Sequence, residues 1–243
     1  MNKTAKRALV TGGSGDIGGA ICRALARDGF HVVVHANKNI ERAQWVAGEI
    51  VQAGGSASSL AFDLTDGAAT RATLEKLLEA GPIAALVHNA GIHDDAPLAG
   101  MREEQWTRVI NVSLNGFFHV AQPLLLPMSR ARFGRIVCVS SVAAVLGNRG
   151  QVNYAAAKSA LHGAAKSLAR EMASRGVTVN VIAPGVIEGG MTHEMFAPEQ
   201  IKQMVPAARM GTSQEVAHAV AFLCSDGASY INGQVIGVNG GMG

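Results

Sequence analysis

Seven short runs that are apolar or rich in β-branched residues recur along the chain, each separated from the next by a segment long enough to form a helix. They are RALVT (7–11), HVVVHA (31–36), SSLAF (58–62), AALVHN (84–89), RIVCVSS (135–141), VTVNVIA (177–183) and QVIGV (234–238). A strand that is apolar on both sides has to be covered on both faces, and joining such strands in parallel requires a crossover helix between them. Segments 17–28, 39–53, 67–80, 102–129, 152–175 and 213–225 have helical spacing, and Gly29, Gly54-Gly55, Gly81-Pro82 and Gly176 act as stop signals. The alternation predicts an α/β fold: a Rossmann-type, doubly wound, parallel seven-stranded sheet in a single domain over 1–243. No internal repeat or linker divides it. Segment 186–212, which contains Gly189-Gly190, Pro198 and Pro206, is the least regular and is predicted to be a substrate lid over the carboxyl ends of the strands.

Composition narrows the function classes. At 243 residues and 48% hydrophobic the chain can bury a sizeable core, and its net charge of +3 is made of interspersed signs, which argues against a nucleic-acid partner. No membrane partner is expected, because no uninterrupted apolar stretch of roughly 18 residues is found. Cys22, Cys138 and Cys224 are odd in number and far apart, which suits reduced core thiols in a cytoplasmic protein. The basic start MNKTAKR is followed only by ALV before Thr11, too short for the apolar region of a secretion signal.

Two motifs carry chemistry. Gly13-x-Gly15-x-x-Gly18 lies between the first strand and the first helix. There, free N–H groups, the helix dipole and missing β-carbons let a pyrophosphate approach backbone. Asp16 is expected to cap that helix with its carboxylate turned from the phosphates, and it also breaks a Gly-x-Ser-x-Gly pattern around Ser14 that would suggest a hydrolase. Downstream, Ser141 ends a strand, Tyr154 follows thirteen residues later, and Lys158 comes four after that. Residues at i and i+4 share a helix face. A neighbouring cation lowers a phenol pKa of about 10 by roughly 1 to 3 units, toward the range of efficient proton transfer.

With these residues the sequence resembles the short-chain dehydrogenase/reductase family, over essentially its whole length. Thr11, Gly12 and Gly18 match the family's glycine loop, with Asp16 standing where the family has Gly. Asn89-Ala90-Gly91 resembles its Asn-Ala-Gly motif, which props the sheet beside the adenosine, and Asp63-Leu64 its adenine contact. Pro184-Gly185 resembles the turn beside the nicotinamide, and Asn111 the asparagine of its Asn-Ser-Tyr-Lys tetrad. The likeness is strongest to the 3-oxoacyl-[acyl-carrier-protein] reductases, in NRGQVNYAAAK, SLAREMASRGVTVNVIAPGVIE and INGQVIGVNGGM.

The resemblance implies a cofactor site made of Gly12, Ser14, Gly15, Asp16, Ile17, Asn37, Lys38, Asp63, Leu64, Asn89, Ala90, Gly91, Tyr154, Lys158, Pro184, Gly185, Ile187 and Thr192. Thr192 or the backbone at Ile187 would replace a threonine that the family often has where Gly189 stands. The implied catalytic roles are proton donation by Tyr154, orientation of the carbonyl oxygen by Ser141, tuning and ribose binding by Lys158, and a water relay through Asn111. The second predicted strand ends His35-Ala36-Asn37-Lys38, with no acid to bind a free ribose hydroxyl, so Asn37 and Lys38 favour a 2′-phosphate and hence NADPH (NADP+). Gly15 and Asp16 keep that preference modest.

The expected reaction is reduction of a 3-oxoacyl thioester on an acyl-carrier protein, in fatty-acid or aryl-polyene-type synthesis, by a homotetramer. Arg130, Arg132 and Arg175 are candidate docking points for the acidic carrier. A dehydrogenase of a free alcohol, sugar or CoA ester and a catalytically idle nucleotide-binding scaffold stand as alternatives. His88, His93, Asp94 and Asp95 lack regular ligand spacing and are expected to edge a loop rather than bind metal.

Overall fold

The computed structural model describes residues 5–189 and 197–243. Its frame is one sheet of seven parallel strands in the order β3-β2-β1-β4-β5-β6-β7. The strands are β1 (Arg7–Thr11), β2 (His31–Ala36), β3 (Ser56–Ala61), β4 (Ile83–His88), β5 (Gly134–Val139), β6 (Val177–Pro184) and β7 (Val235–Val238). The helices are α1 (Asp16–Arg27), α2 (Ile40–Gln52), α3 (Gly67–Glu79), α4 (Glu103–Ile110), α5 (Gly116–Ala131), α6 (Ala143–Leu146), α7 (Val152–Met172), α8 (Pro198–Met204) and α9 (Ser213–Cys224). One face of the sheet is covered by α1, α2 and α9, the other by α3, α5 and α7. The central strands therefore have almost no exposed residue: β5 and β6 are buried from end to end. Strand order reverses between β1 and β4, and their carboxyl ends open a crevice there, the place where sheets of this kind bind ligands.

Local sequence fixes the helix starts. Asn39 caps α2 through Arg42 N–H at 3.0 Å, and Asp66 caps α3 through Ala69 N–H at 2.9 Å. Thr212 and Glu215 form a reciprocal capping box on α9. The start of α1 differs from expectation. Gly15 occupies the cap position with no side-chain bond, and Asp16 is the first helical residue, not the cap.

The expected helix 102–129 is interrupted. Between α4 and α5, residues Asn111–Asn115 form a π-helical turn in which Gly116 N–H bonds Asn111 O. The combined stretch Glu103–Ala131 is, by length and composition, apolar enough to cross a membrane, although polar residues such as Asn111, Asn115 and Gln122 interrupt it. It is a core helix: Phe117, Val120, Leu124 and Met128 pack against β4 and β5. The described parts of the expected lid contain α8 and a bridge from Ile187 to Gly211 at its base.

Candidate active site

A cavity of about 960 Å³ opens over the carboxyl ends of β1, β2 and β4. Its floor is the glycine loop. Gly12 takes φ +63°, and a Cβ there would come within 3.0 Å of Ala90 Cα and Asn89 Nδ2. A Cβ at Gly18 would collide with the Gly12 carbonyl oxygen, whereas at Gly15 it would meet only that oxygen, at 3.5 Å. Two of the three positions are thus fixed by packing, and Gly15 leaves backbone open to a ligand.

The Asn-Ala-Gly motif holds this loop. Asn89 Nδ2 donates to both Thr11 O and Gly12 O at 3.1 Å, and the N–H groups of Asn89 and Ala90 donate to Thr11 Oγ1. With both lone pairs so used, Thr11 donates its own proton to His88 Nδ1 at 3.3 Å, and His88 Nε2–H donates to Ser113 O at 2.8 Å. The imidazole is therefore neutral. Burial, with Lys158 adding to the effect, pushes its pKa down to about 3. His35 forms a second staple: Gly12 N–H donates to its Nδ1 at 3.1 Å, and its Nε2 donates to Phe62 O at 2.9 Å. Burial holds its pKa near 4. Sequence reasoning assigned neither histidine this work, because their partners are mostly backbone atoms brought close only by the fold.

At the outer end of the cavity lie exposed Asn37 and Lys38, with Asp63 and Leu64 opposite. Asp63 accepts from Thr65 N–H at 2.9 Å and from its hydroxyl at 2.8 Å, bonds that hold its carboxyl below the ordinary range. Ser14, Ile17, Gly91 and Ile187 also line the cavity. Pro184 and Gly185 do not line it: Gly185 N–H bonds Val238 O, and a Cβ there would press on Asn239. Thr192 lies outside the described residues.

Asp16 and Gly189, the two departures from the family pattern, meet in space. Asp16 Oδ1 pairs with Arg42 at 3.3 Å, and a Cβ at Gly189, where φ is +149°, would lie 2.8 Å from Asp16 Oδ2. Arg42 Nε also donates to Ser14 O at 2.7 Å, so α2 delivers a cation to the outside of the loop. Sequence reasoning missed Arg42, which no motif marks.

Ser141, Tyr154 and Lys158 come together behind two residues that line the cavity, Gly91, which faces Lys158, and His93, whose ring faces Tyr154. Ser141 follows β5, its Oγ accepting from Ala143 N–H at 3.1 Å, and its hydroxyl faces the Tyr154 phenol. Lys158 is buried. Its Nζ donates to Val139 O at 2.8 Å and lies 5.8 Å from the Tyr154 ring centre. Burial pushes Lys158 down to about 8. The phenol sits above its ordinary value: burial raises it, the Ser141 hydroxyl pulls the other way, and Asp95 adds to the rise. In this state the expected lowering by Lys158 does not prevail, since the ammonium is engaged by a carbonyl and the phenol is desolvated. Asn111 begins the π-turn, its Oδ1 accepting from Asn115 Nδ2 at 2.7 Å.

The residues fit a nicotinamide dinucleotide. The glycine loop admits a close backbone approach, and among the described residues Lys158 Nζ bonds only Val139 O, which leaves two N–H groups beside Gly91, where a Cβ would lie only 2.8 Å from Nζ. The Ser113 hydroxyl, 3.4 Å from that same point and fully buried, has no partner among the described residues.

The other charged groups disperse. His93 pairs with Asp95 at 3.2 Å, and Asp94 takes Arg108 and Gln105, both at 2.7 Å. Together with His88 they form no convergent set. Arg130, Arg132 and Arg175 are exposed at the amino ends of β5 and β6, so a carrier docked there reaches this chain's own cavity only across the depth of the sheet. Arg135, next to them in sequence, is buried, donating to the carbonyls of Ser225, Gly134 and Gly176.

A parallel sheet with a glycine loop at its switch point and a Ser-Tyr-Lys group beside it defines a nicotinamide-dependent oxidoreductase, and the chain belongs to the short-chain dehydrogenase/reductase family. Residues 13–243 match the family described as Enoyl-(Acyl carrier protein) reductase. The chain is 44% identical to the 3-oxoacyl-[acyl-carrier-protein] reductase of Escherichia coli (strain K12), over all of this chain and 99% of that protein. It is 44% identical to the Aggregatibacter actinomycetemcomitans protein of the same name over 96% of this chain and 98% of the relative, and 42% to that of Staphylococcus aureus (strain N315) over 99% of each.

Proposed function

We propose that this chain reduces the 3-oxo group of an acyl thioester, carried on an acyl-carrier protein, with NADPH. The observation that carries this reading is the convergence of Ser141, Tyr154 and Lys158 next to Gly91 and His93, which line a cavity floored by a glycine loop. When bound, the nicotinamide supplies hydride. Tyr154, protonated, donates its phenolic proton to the carbonyl oxygen as charge develops there, and the Ser141 hydroxyl orients and stabilises that oxygen. Lys158, with two free N–H groups beside Gly91, holds a ribose hydroxyl. The opening at the π-turn, with Asn111 at its head and the unpartnered Ser113 hydroxyl within, offers a place for a water that returns the proton. Lys38 and Asn37, at a β2 end that carries no acid of its own, support NADPH over NADH. The relatives' names support a carrier-bound 3-oxoacyl substrate, and a cytoplasmic setting in fatty-acid or aryl-polyene-type synthesis belongs to the same proposal.

One experiment separates the readings. NADPH consumption is followed with an acetoacetyl thioester, with a crotonyl thioester for the enoyl reduction that the matched family's description names, and with simple alcohols and NADP+. Turnover of acetoacetyl thioester alone is expected, with NADPH used about tenfold to a hundredfold better than NADH, the 1 to 3 kcal/mol of a charge-assisted contact. No consumption with any of them overturns the reading in favour of an idle scaffold.

A further inference from the structure

The loop after β4 is laced to the segment before α7 across the mouth of the site. Asp95 Oδ1 pairs with His93 Nδ1 at 3.2 Å, and Asp95 Oδ2 accepts from Gln151 Nε2 at 2.8 Å. Gln151 is itself held by Asn148 at 2.9 Å, and Ala96 N–H bonds Gly150 O at 2.9 Å. The His93 ring stands at 83° to that of Tyr154, with 6.5 Å between centres. This places a carboxylate, held on both oxygens, one hydrogen bond from a ring that stands edge-on to Tyr154 and one from the residue three positions before Tyr154 in the chain.

We infer that Asp95, pinned by His93 and Gln151, is a positioning residue of the reduction: its fixed negative charge keeps the Tyr154 phenol in the protonated form that donates. The inference rests on the reductase reading and deepens it. A second negative charge beside a carboxylate is disfavoured, so phenolate forms at higher pH than it otherwise would. Among the described residues, the groups facing Tyr154 are Ser141 from the turn after β5, Lys158 on its own helix, and His93 and Asp95 from the loop after β4. Asp94 is neutralised by Arg108. Lys158 acts in the opposite sense, with its ammonium turned to Val139 O. Carbonyl reduction consumes the phenol form and alcohol oxidation requires the phenolate, so the charge at position 95 widens the pH range of the reductive direction.

The chain has only two tyrosines, and Tyr230 is fully exposed. In a Tyr230→Phe background the phenolate absorbance therefore reports Tyr154 alone. Asp95→Asn keeps the shape and removes the charge; it is expected to lower the titration midpoint by roughly half a pH unit, the effect of one charge across a partly solvated gap. The shift should shrink in about 1 M salt, because the carboxylate is 37% exposed. His93→Phe keeps a ring beside Tyr154 and leaves the charge, so it should not lower the midpoint. The basic limb of kcat/KM for thioester reduction should move down with Asp95→Asn by the same amount, and this limb decides should the chain unfold before the phenol titrates. An unmoved midpoint and limb overturn the inference. A moved midpoint without thioester turnover would instead overturn the reductase reading and leave the action of Asp95 on the phenol standing.

Discussion

Tyr154 and Lys158 share a helix face, but their surroundings give them separable tasks. Tyr154 is half-buried and faces Ser141, and its hydroxyl is the only part that the proposed reaction consumes. Tyr154→Phe should cut turnover at least a hundredfold while leaving the cofactor dissociation constant within a few-fold. Lys158→Ala should lose both, because the same ammonium braces Val139 O and faces Gly91. Isothermal titration with NADP+ alongside initial rates checks the pair; a lysine variant that loses rate alone would remove the ribose contact. These residues were legible in the sequence because their chemistry and spacing are local. Arg42, His35 and Asp95 were not legible in their roles, since an arginine holding a loop carbonyl or a carboxylate facing a distant phenol leaves no periodic or spacing signal. The cap expected at Asp16 failed for a related reason: Gly15 already adopts the extended cap geometry, and Arg42 draws the carboxylate away.

The elements are held in register by two buried imidazoles. His35, at the end of β2, joins the glycine loop to the chain after β3, and His88, at the end of β4, joins β1 to the π-turn. Both are neutral in the fold, with pKa values near 4 and near 3, against about 6.5 in the unfolded chain. Below pH 6.5 the unfolded state takes up protons that the folded state refuses. Stability from these groups is therefore whole above about 6.5 and falls as the pH drops toward the folded values, by roughly 2 kcal/mol for each histidine between 6.5 and 5. Urea unfolding at pH 7 and pH 5 should show that loss, reduced in His35→Gln; equal stability at both pH values would contradict the burial. β1 and β2 were read to the residue because their apolar runs are unbroken. β3, an edge strand of sequence SASSLA, starts two residues earlier than its apolar run suggests, since pairing to β2 defines it more than burial does. The π-turn was invisible because its outward carbonyl is claimed by His88, a partner 25 residues away.

At the scale of the whole molecule, the combined stretch of α4 and α5 leaves Trp106, Phe118 and Leu126 exposed, while Phe222 on α9 and Tyr230 beyond it are exposed elsewhere. We propose that exposed apolar residues on these two helical regions are covered by two different two-fold contacts in a tetramer of D2 symmetry, the closed assembly that uses both. Multi-angle light scattering at micromolar concentration should give about four times the 25.1 kDa chain mass. A monomer there would reject the assembly, and Leu126→Glu should break one class of contact and yield dimers.

The contact between Asp16 and Gly189 also bears on the history of the site. A side chain at 189 would need both a backbone away from φ +149° and the space that the Asp16 carboxylate holds. The two positions are therefore easier to change in one order than in the other. Loss of the carboxylate opens the way for a side chain at 189, whereas a side chain gained first meets an occupied gap. The pair forms a one-way gate on the mutational paths between this loop and that of its relatives, so sequences bearing Asp at the first position should carry Gly at the second.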